Sequence, residues 1–133
     1  MTFFFRLIHR RWLAITLFLL AVITYLSLTP LMRLPDVPGT DKTHHFIAYA
    51  SLIFAVALRK PKHWPVIGLF LFGWSGGIEI LQPYVNRYSE WLDLAANGGG
   101  LVCGVILATV VGRLFPNAVN AKLEQEAAIK DGD

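Results

Sequence analysis

Four apolar runs of near-membrane length constrain the fold of this chain more than any other feature. They cover about residues 12–28, 45–58, 65–84 and 92–112. A transmembrane helix needs about 20 predominantly apolar residues, within a range of roughly 17–25. The second run is short, so its first turn must include polar residues at headgroup depth. The pattern predicts an all-α membrane protein built as a bundle of four transmembrane helices.

The composition agrees with a membrane protein of one domain. Of the 133 residues, 55% are hydrophobic and 16% are charged, against about 25% charged in soluble domains. The net charge is +3, but the charges flank the apolar runs and form no basic face, which excludes nucleic acid as a partner. We expect a transmembrane domain over residues 1–116 and a polar cytoplasmic tail over residues 117–133.

The distribution of Lys and Arg predicts the orientation of the four spans. Three basic residues precede the first run, three lie between the second and third, and three follow the fourth, which makes nine of the twelve. The other three are Arg33, Lys42 and Arg87. Because Lys and Arg concentrate in cytoplasmic loops, both termini are predicted to be cytoplasmic.

Glu79 is a charged residue within an apolar run, where a membrane span is not expected to contain one. A charged side chain at the centre of a bilayer costs roughly 2.5–3.5 kcal/mol even on insertion scales. Glu79 lies in the outer part of the third run, so partners should be sought at the same depth. Asp41, His45 and Tyr49 are spaced i, i+4, i+8 at the outer start of the second run, which places them on one helix face.

The fourth run brings polar groups to the same depth. Asp93 and Asn97 are spaced i, i+4 at its outer start. We therefore predict an outward-facing polar pocket. Its candidate ligand-binding residues are Asp41, Lys42, His45, Tyr49, Glu79, Gln82, Arg87, Asp93 and Asn97.

Purely structural roles remain open for several of these residues. Asp93 is also a candidate N-cap, since its carboxylate can accept from free backbone N–H groups at a helix start. Asn97 can act as an interhelical hydrogen-bond donor or acceptor. Glu79 can form a structural ion pair with Arg87 or His45.

Small residues recur at four-residue spacing in the third and fourth runs. Gly73 and Gly77 form a GxxxG pattern, and Gly100 and Gly104 begin a second stripe. Such faces let membrane helices approach closely. The spacing predicts that the third and fourth helices pack through these four glycines.

Three segments resemble the motifs of a known family. They are "DKTHHFIAYASL" (Asp41–Leu52), "GIEILQPYVNR" (Gly77–Arg87) and "DLAANGGGLVCG" (Asp93–Gly104). In this order they resemble the D-K-x-x-H-F-x-x-Y, G-x-x-E-x-x-Q and D-x-x-x-N-x-x-G-x-x-x-G patterns of the VanZ-like family. The resemblance implies a small multi-pass protein of the bacterial cytoplasmic membrane, and the namesake of the family is associated with resistance to the glycopeptide teicoplanin. It also implies that the nine polar residues named above carry the motifs, with no mechanism assigned to them.

Three functions compete on these observations. The first is a cell-envelope protein that binds a lipid-linked or headgroup ligand in the pocket and so changes glycopeptide susceptibility. The second is a membrane-embedded enzyme that uses acid–base chemistry, or a metal held by His45 with Asp41, Glu79 and Asp93. The third is a small transporter component, and a homo-oligomer remains open. We expect no cofactor and no resident metal, since one histidine with scattered carboxylates is a weak zinc-ligand set.

Overall fold

The computed structural model describes residues 2–30 and 40–116, apart from the side chains of residues 2–6 and 9. Its helices are α1 (Thr2–Leu28), α2 (Asp41–Arg59), α3 (Trp64–Leu81) and α4 (Trp91–Leu114), and a short 3₁₀ helix (Gln82–Val85) extends α3. The described residues contain no strand. The predicted all-α fold is therefore confirmed, whereas the predicted tail over residues 117–133 lies outside the described residues.

Three of the described helices have the length and apolarity needed to cross a membrane. The apolar stretches are Arg10–Leu28, Trp64–Val85 and Trp91–Leu114. Their outward faces carry large apolar side chains, such as Leu69 and Ile80, each 71% exposed. Soluble monomers rarely expose such contiguous apolar surface, so the chain is a membrane protein.

Helix α2 differs from the other three in its composition. Its 19 residues span about 28 Å at 1.5 Å per residue. Its first turns contain Asp41, Lys42 and His45, which lowers its mean apolarity. Its later residues are apolar and mostly buried against neighbouring helices. Helix α2 is therefore long enough to span a bilayer but is less apolar than the helices around it.

Local sequence signals set the ends of α2. The Thr40 side chain accepts a hydrogen bond from the Thr43 backbone N–H, which caps the helix start. At the other end Lys60 adopts a left-handed conformation, with φ of 48°, and its N–H bonds to the carbonyl of Val56. Pro61 then prevents further helix. A local capping hydrogen bond is thus present at each end of α2, without any contact from another helix.

Helix α2 lies at the centre of the arrangement. It packs along α4 and against α1, while α3 packs mainly against α4. All four helices contribute to one apolar core, and α2 contributes most of it. The buried members of this core are Ile23, Tyr49, Leu52, Ile53, Val56, Leu71 and Leu101.

Two glycines of α4 bring it into backbone contact with α2. A Cβ atom added at Gly100 would meet the carbonyl oxygen of Phe46, and one added at Gly104 would meet the carbonyl oxygen of Ala50. Both glycines are buried. The absence of side chains at Gly100 and Gly104 therefore allows the α2 and α4 backbones to approach this closely.

The predicted packing of α3 on α4 through four glycines is wrong. An added Cβ at Gly73 or Gly77 would have no atom within 4 Å, and both residues are exposed. Gly100 and Gly104 do lie at a helix contact, but their partner is α2. The spacing alone could not distinguish these cases, since a small-residue stripe does not specify which neighbour it contacts.

We expect Gly104→Ala to destabilise the protein and Gly77→Ala to leave it at least as stable. The added methyl at Gly104 must push α2 away, and overpacking typically costs about 1–3 kcal/mol. At Gly77 the methyl enters open space and improves helix propensity by about 1 kcal/mol. Thermal unfolding in detergent measures both variants. Equal melting temperatures for the two would contradict the α2–α4 contact.

A polar cluster at one end of the bundle

Polar side chains from α2, α3, α4 and the segment between α3 and α4 meet where α2 and α4 begin and α1 and α3 end. We call this group the polar cluster. Most of its members form a hydrogen bond or an ion pair with another member or with the end of a helix. The others are buried residues that lie among them. The members are Asp41, Lys42, His45, Tyr49, Ser75, Glu79, Gln82, Arg87, Ser89, Glu90, Asp93 and Asn97.

A buried chain of hydrogen bonds joins three helices. Nδ1 of His45 on α2 lies 3.0 Å from Oδ1 of Asn97 on α4, and Nδ2 of Asn97 donates to Oγ of Ser75 on α3 at 2.7 Å. Because the Asn97 amide oxygen can only accept, Nδ1 of His45 is the donor. Nε2 of the neutral ring therefore carries a lone pair, and it lies 3.9 Å from Oδ1 of Asp41.

Arg87 and Gln82 satisfy the carboxyl end of α1. Nη1 of Arg87 donates to the carbonyls of Leu26 and Thr29 at 2.9 and 3.4 Å. Nε2 of Gln82 donates to the carbonyl of Ser27 at 3.3 Å. The last carbonyls of a helix have no partner within it, so these donors replace water there.

The guanidinium of Arg87 also connects α1 to the start of α2. Its Nη2 lies 3.4 and 3.5 Å from the two carboxylate oxygens of Asp41. The Arg87 side chain is only 5% exposed. Arg87 is therefore a buried structural bridge and is not available to a ligand. Its carboxylate partner is Asp41 and not Glu79, which excludes the Arg87 form of the structural pair considered for Glu79.

Lys42 links α2 to the start of α4. Its Nζ donates to Oε2 of Glu90 at 2.6 Å and lies 3.7 Å from Oδ1 of Asp93. The hydrogen bond that Lys42 donates to Glu90 raises the pKa of the Lys42 amine above its ordinary value. Lys42 is 40% exposed along its side chain, so its ammonium group remains accessible from outside the cluster.

Glu79 is buried inside the bundle with one oxygen free. It is 6% exposed, and Ser89 Oγ donates to its Oε2 at 3.1 Å. Its Oε1 has no hydrogen-bond partner among the described residues. The carboxylate interacts electrostatically with His45, Asp93 and Asp41. Glu79 thus avoids lipid, where a carboxylate would be costly. Among the described residues, only one of its two carboxylate oxygens has a hydrogen-bond partner.

Three further buried polar atoms lack a hydrogen-bond partner within residues 2–30 and 40–116. They are the Tyr49 hydroxyl, Oε1 of Gln82 and Oδ1 of Asp93. Native proteins leave few such groups, because each costs about 1–3 kcal/mol. With Glu79 Oε1, three of the four atoms are pure acceptors when the carboxyls are ionised. The cluster is therefore short of donors or positive charge.

Asp41, His45 and Asp93 form the group with the spacing of metal ligands. Each offers one ligand atom, and these atoms all lie within 4.8 Å of one another. His45 and Asp93 are buried, whereas Asp41 is exposed. One imidazole and two carboxylates are donors suited to first-row divalent ions.

The structure brings the nine sequence-predicted site residues to one end of the bundle, with one difference of role. Asp93 is not the N-cap of α4, because that position is Glu90 and Asp93 lies in the first turn. Glu90, which is not among the nine, accepts the hydrogen bond of Lys42. Sequence reasoning missed Ser75, although its position four residues before Glu79 places both on one helix face. It also missed Ser89, for which the loop sequence offers no signal.

Comparisons with known proteins give no relative for this chain. No family model, no curated protein and no solved structure matches it.

We expect Arg87→Lys to destabilise the protein clearly. A lysine ammonium cannot reach two carbonyls and a carboxylate in the fork geometry of a guanidinium, and hydrogen bonds to charged groups contribute about 1.5–3 kcal/mol each. Arg113→Lys, the same exchange at an exposed position in the last turn of α4, is the control. Chemical unfolding in detergent measures both, and equal stability of the two variants would show that Arg87 does not bridge α1 and α2.

Proposed function

We propose that the chain forms a four-span bundle in the bacterial cytoplasmic membrane, with both termini in the cytoplasm. The length of α2, about 28 Å, supports its being the fourth span, because the hydrocarbon core of a bilayer is about 30 Å thick. The neighbouring helices shield α2, so it needs less apolarity than they do. Its polar first turns would then lie at headgroup depth. The nine-to-three division of Lys and Arg supports the orientation.

In this orientation the polar cluster faces the outside of the cell. The resemblance to the VanZ-like family supports the same assignment, since each of its three motif segments contributes buried side chains to the cluster. The segments are far apart in sequence. Their convergence is what a shared binding site requires, although it would also serve folding.

The function we propose is binding of a lipid-linked or headgroup ligand at the polar cluster. The observation that carries it is the set of buried acceptor atoms with no hydrogen-bond partner among the described residues, above all Glu79 Oε1 and Asp93 Oδ1. A ligand that brings hydroxyl, amide or ammonium donors would satisfy them. Lys42, with its partly exposed ammonium, is placed to meet a phosphate of such a ligand, whereas Arg87 is occupied by α1 and Asp41.

Binding fits the distribution of polar groups better than transport does. Beyond Tyr49, the buried residues of α2 are all apolar, from Leu52 to Leu58. A proton or ion path needs polar groups through the membrane, and the buried residues of α2 in that half include none. By resemblance, occupation of the cluster by an envelope lipid would change the susceptibility of the cell to glycopeptides such as teicoplanin.

We expect Glu79→Gln to fold normally and to lose the bound lipid. The exchange keeps the shape of the side chain and removes the charge of a half-satisfied carboxylate. Wild type and variant are purified in the same mild detergent, and co-purifying lipids are identified and counted by mass spectrometry. Wild type should retain a lipid at near-stoichiometric amount, and the variant should retain at most about a tenth of it, a loss of roughly 1.4 kcal/mol in binding.

Glu124→Gln, the same exchange in the carboxy-terminal tail, is the matched control and should retain the lipid. Expression of each variant in a glycopeptide-sensitive strain gives a second readout. A well-folded Glu79→Gln protein that keeps its lipid and still alters susceptibility would remove Glu79 from the site and contradict the proposal.

A further inference from the structure

The polar cluster carries an excess of negative charge that its own cations do not neutralise. Among the described residues at this end of the bundle, four carboxylates face two cations, which leaves two negative charges when His45 is neutral. The carboxylates are those of Asp41, Glu79, Glu90 and Asp93, and the cations are Lys42 and Arg87. Two of the four, Glu79 and Asp93, are buried, and buried charge without compensation is costly. The cluster therefore favours a cation of charge +2.

The two cations are held away from two of these carboxylates. Lys42 makes its short contact with Glu90 at 2.6 Å and remains 3.7 Å from Asp93. Arg87 approaches Asp41 only to 3.4 Å, because its other nitrogen bonds to the carbonyls of α1. Asp93 is 2% exposed, and its Oδ1 makes no hydrogen bond to any described residue. Asp41 and Asp93 therefore keep only cation contacts of 3.4 Å or more, and among the described residues Glu79 makes no ion pair with either cation.

His45 presents the nitrogen that a metal requires. Its Nδ1–H is used by the Asn97 amide oxygen, which leaves Nε2 as the ligand nitrogen, and Nε2 lies 3.9 Å from Oδ1 of Asp41. Metal-ligating histidines almost always donate their other ring N–H to an oxygen acceptor, which fixes the tautomer and the ring orientation. Asn97 is held in turn by its hydrogen bond to Ser75. The orienting contacts of a metal ligand are thus already in place around His45.

We propose that Asp41, His45 and Asp93 bind a divalent first-row transition-metal ion. Their ligand atoms lie within 4.8 Å of one another, whereas the ligand atoms of a tetrahedral ion with bonds of about 2.0–2.2 Å lie about 3.3–3.6 Å apart. Binding therefore requires the side chains to close by up to about 1.5 Å. Three protein ligands leave coordination positions open on the exposed side of Asp41, where a phosphate oxygen or water can bind. The site does not rest on the lipid-binding proposal, since it requires only these three residues.

The test uses the full chain, purified in detergent and freed of metal with a chelator. The protein is titrated with Mn²⁺ alone, and binding is measured by calorimetry and by the electron paramagnetic resonance of the ion. Both should show one site per chain. Pulsed spectra should contain the coupling of a single imidazole nitrogen. Asp93→Asn should weaken binding at least about tenfold, and His45→Gln should remove the nitrogen coupling. Zn²⁺ should compete for the same site.

Two further variants make the outcome specific. Glu124→Gln should match wild type. Glu79→Gln removes one of the negative charges that attract the ion, so it should weaken Mn²⁺ binding but keep the nitrogen coupling of His45. Loss of lipid with retention of Mn²⁺ in Glu79→Gln would separate this site from headgroup binding. The proposal would be overturned if wild type did not bind Mn²⁺ or Zn²⁺ at one site per chain, or if its spectra showed no imidazole coupling. This outcome does not depend on whether Asp93→Asn folds. Binding that is equal in wild type and a folded Asp93→Asn would overturn it as well.

Discussion

The backbone contact between α2 and α4 is the constraint on which the rest of the structure depends. Gly100 and Gly104 carry no side chain, so the carbonyls of Phe46 and Ala50 lie where Cβ atoms would otherwise be. This contact fixes the separation and the register of the two helices. His45, one residue before Phe46, is thereby held beside Asn97, three residues before Gly100. The site geometry therefore follows from helix packing and not from a loop.

The polar cluster in turn connects the remaining helices. Asn97 reaches Ser75 on α3, and Arg87 reaches both the end of α1 and the start of α2. The Arg87 contacts satisfy backbone carbonyls at the end of α1, where a helix leaves its last carbonyls without an internal partner. The contacts of the cluster leave Glu79, Gln82 and Asp93 with free acceptor atoms. A purely structural network would be expected to satisfy its own members, and this surplus is what both the lipid and the metal proposals explain.

The sequence predicted the helices and the polar residues well, because both depend on short-range patterns. The apolar runs lie within α1 to α4, except that the third continues into the 3₁₀ helix after α3. The i, i+4 spacing of Asp41 with His45 and of Asp93 with Asn97 correctly indicated single faces. Tertiary partners were less accessible. Gly73 and Gly77 resemble Gly100 and Gly104 in spacing, yet only the second pair contacts a helix. The hydrogen bonds of Arg87 to α1 carbonyls could not be predicted either, because every residue has a backbone carbonyl and the sequence does not indicate which side chain will bond to it.

A double-mutant cycle between His45 and Asn97 tests the central claim, that the α2–α4 contact joins these residues in a buried hydrogen bond. The free energy of unfolding in detergent is measured for wild type, His45→Ala, Asn97→Ala and the double variant. We predict that the sum of the losses of unfolding free energy in the two single variants exceeds the loss in the double variant by about 0.5–3 kcal/mol. This is the range for residues in one hydrogen-bonded network. Losses that add to within about 0.3–0.5 kcal/mol, as for distant residues, would show that α2 and α4 do not bring the pair together.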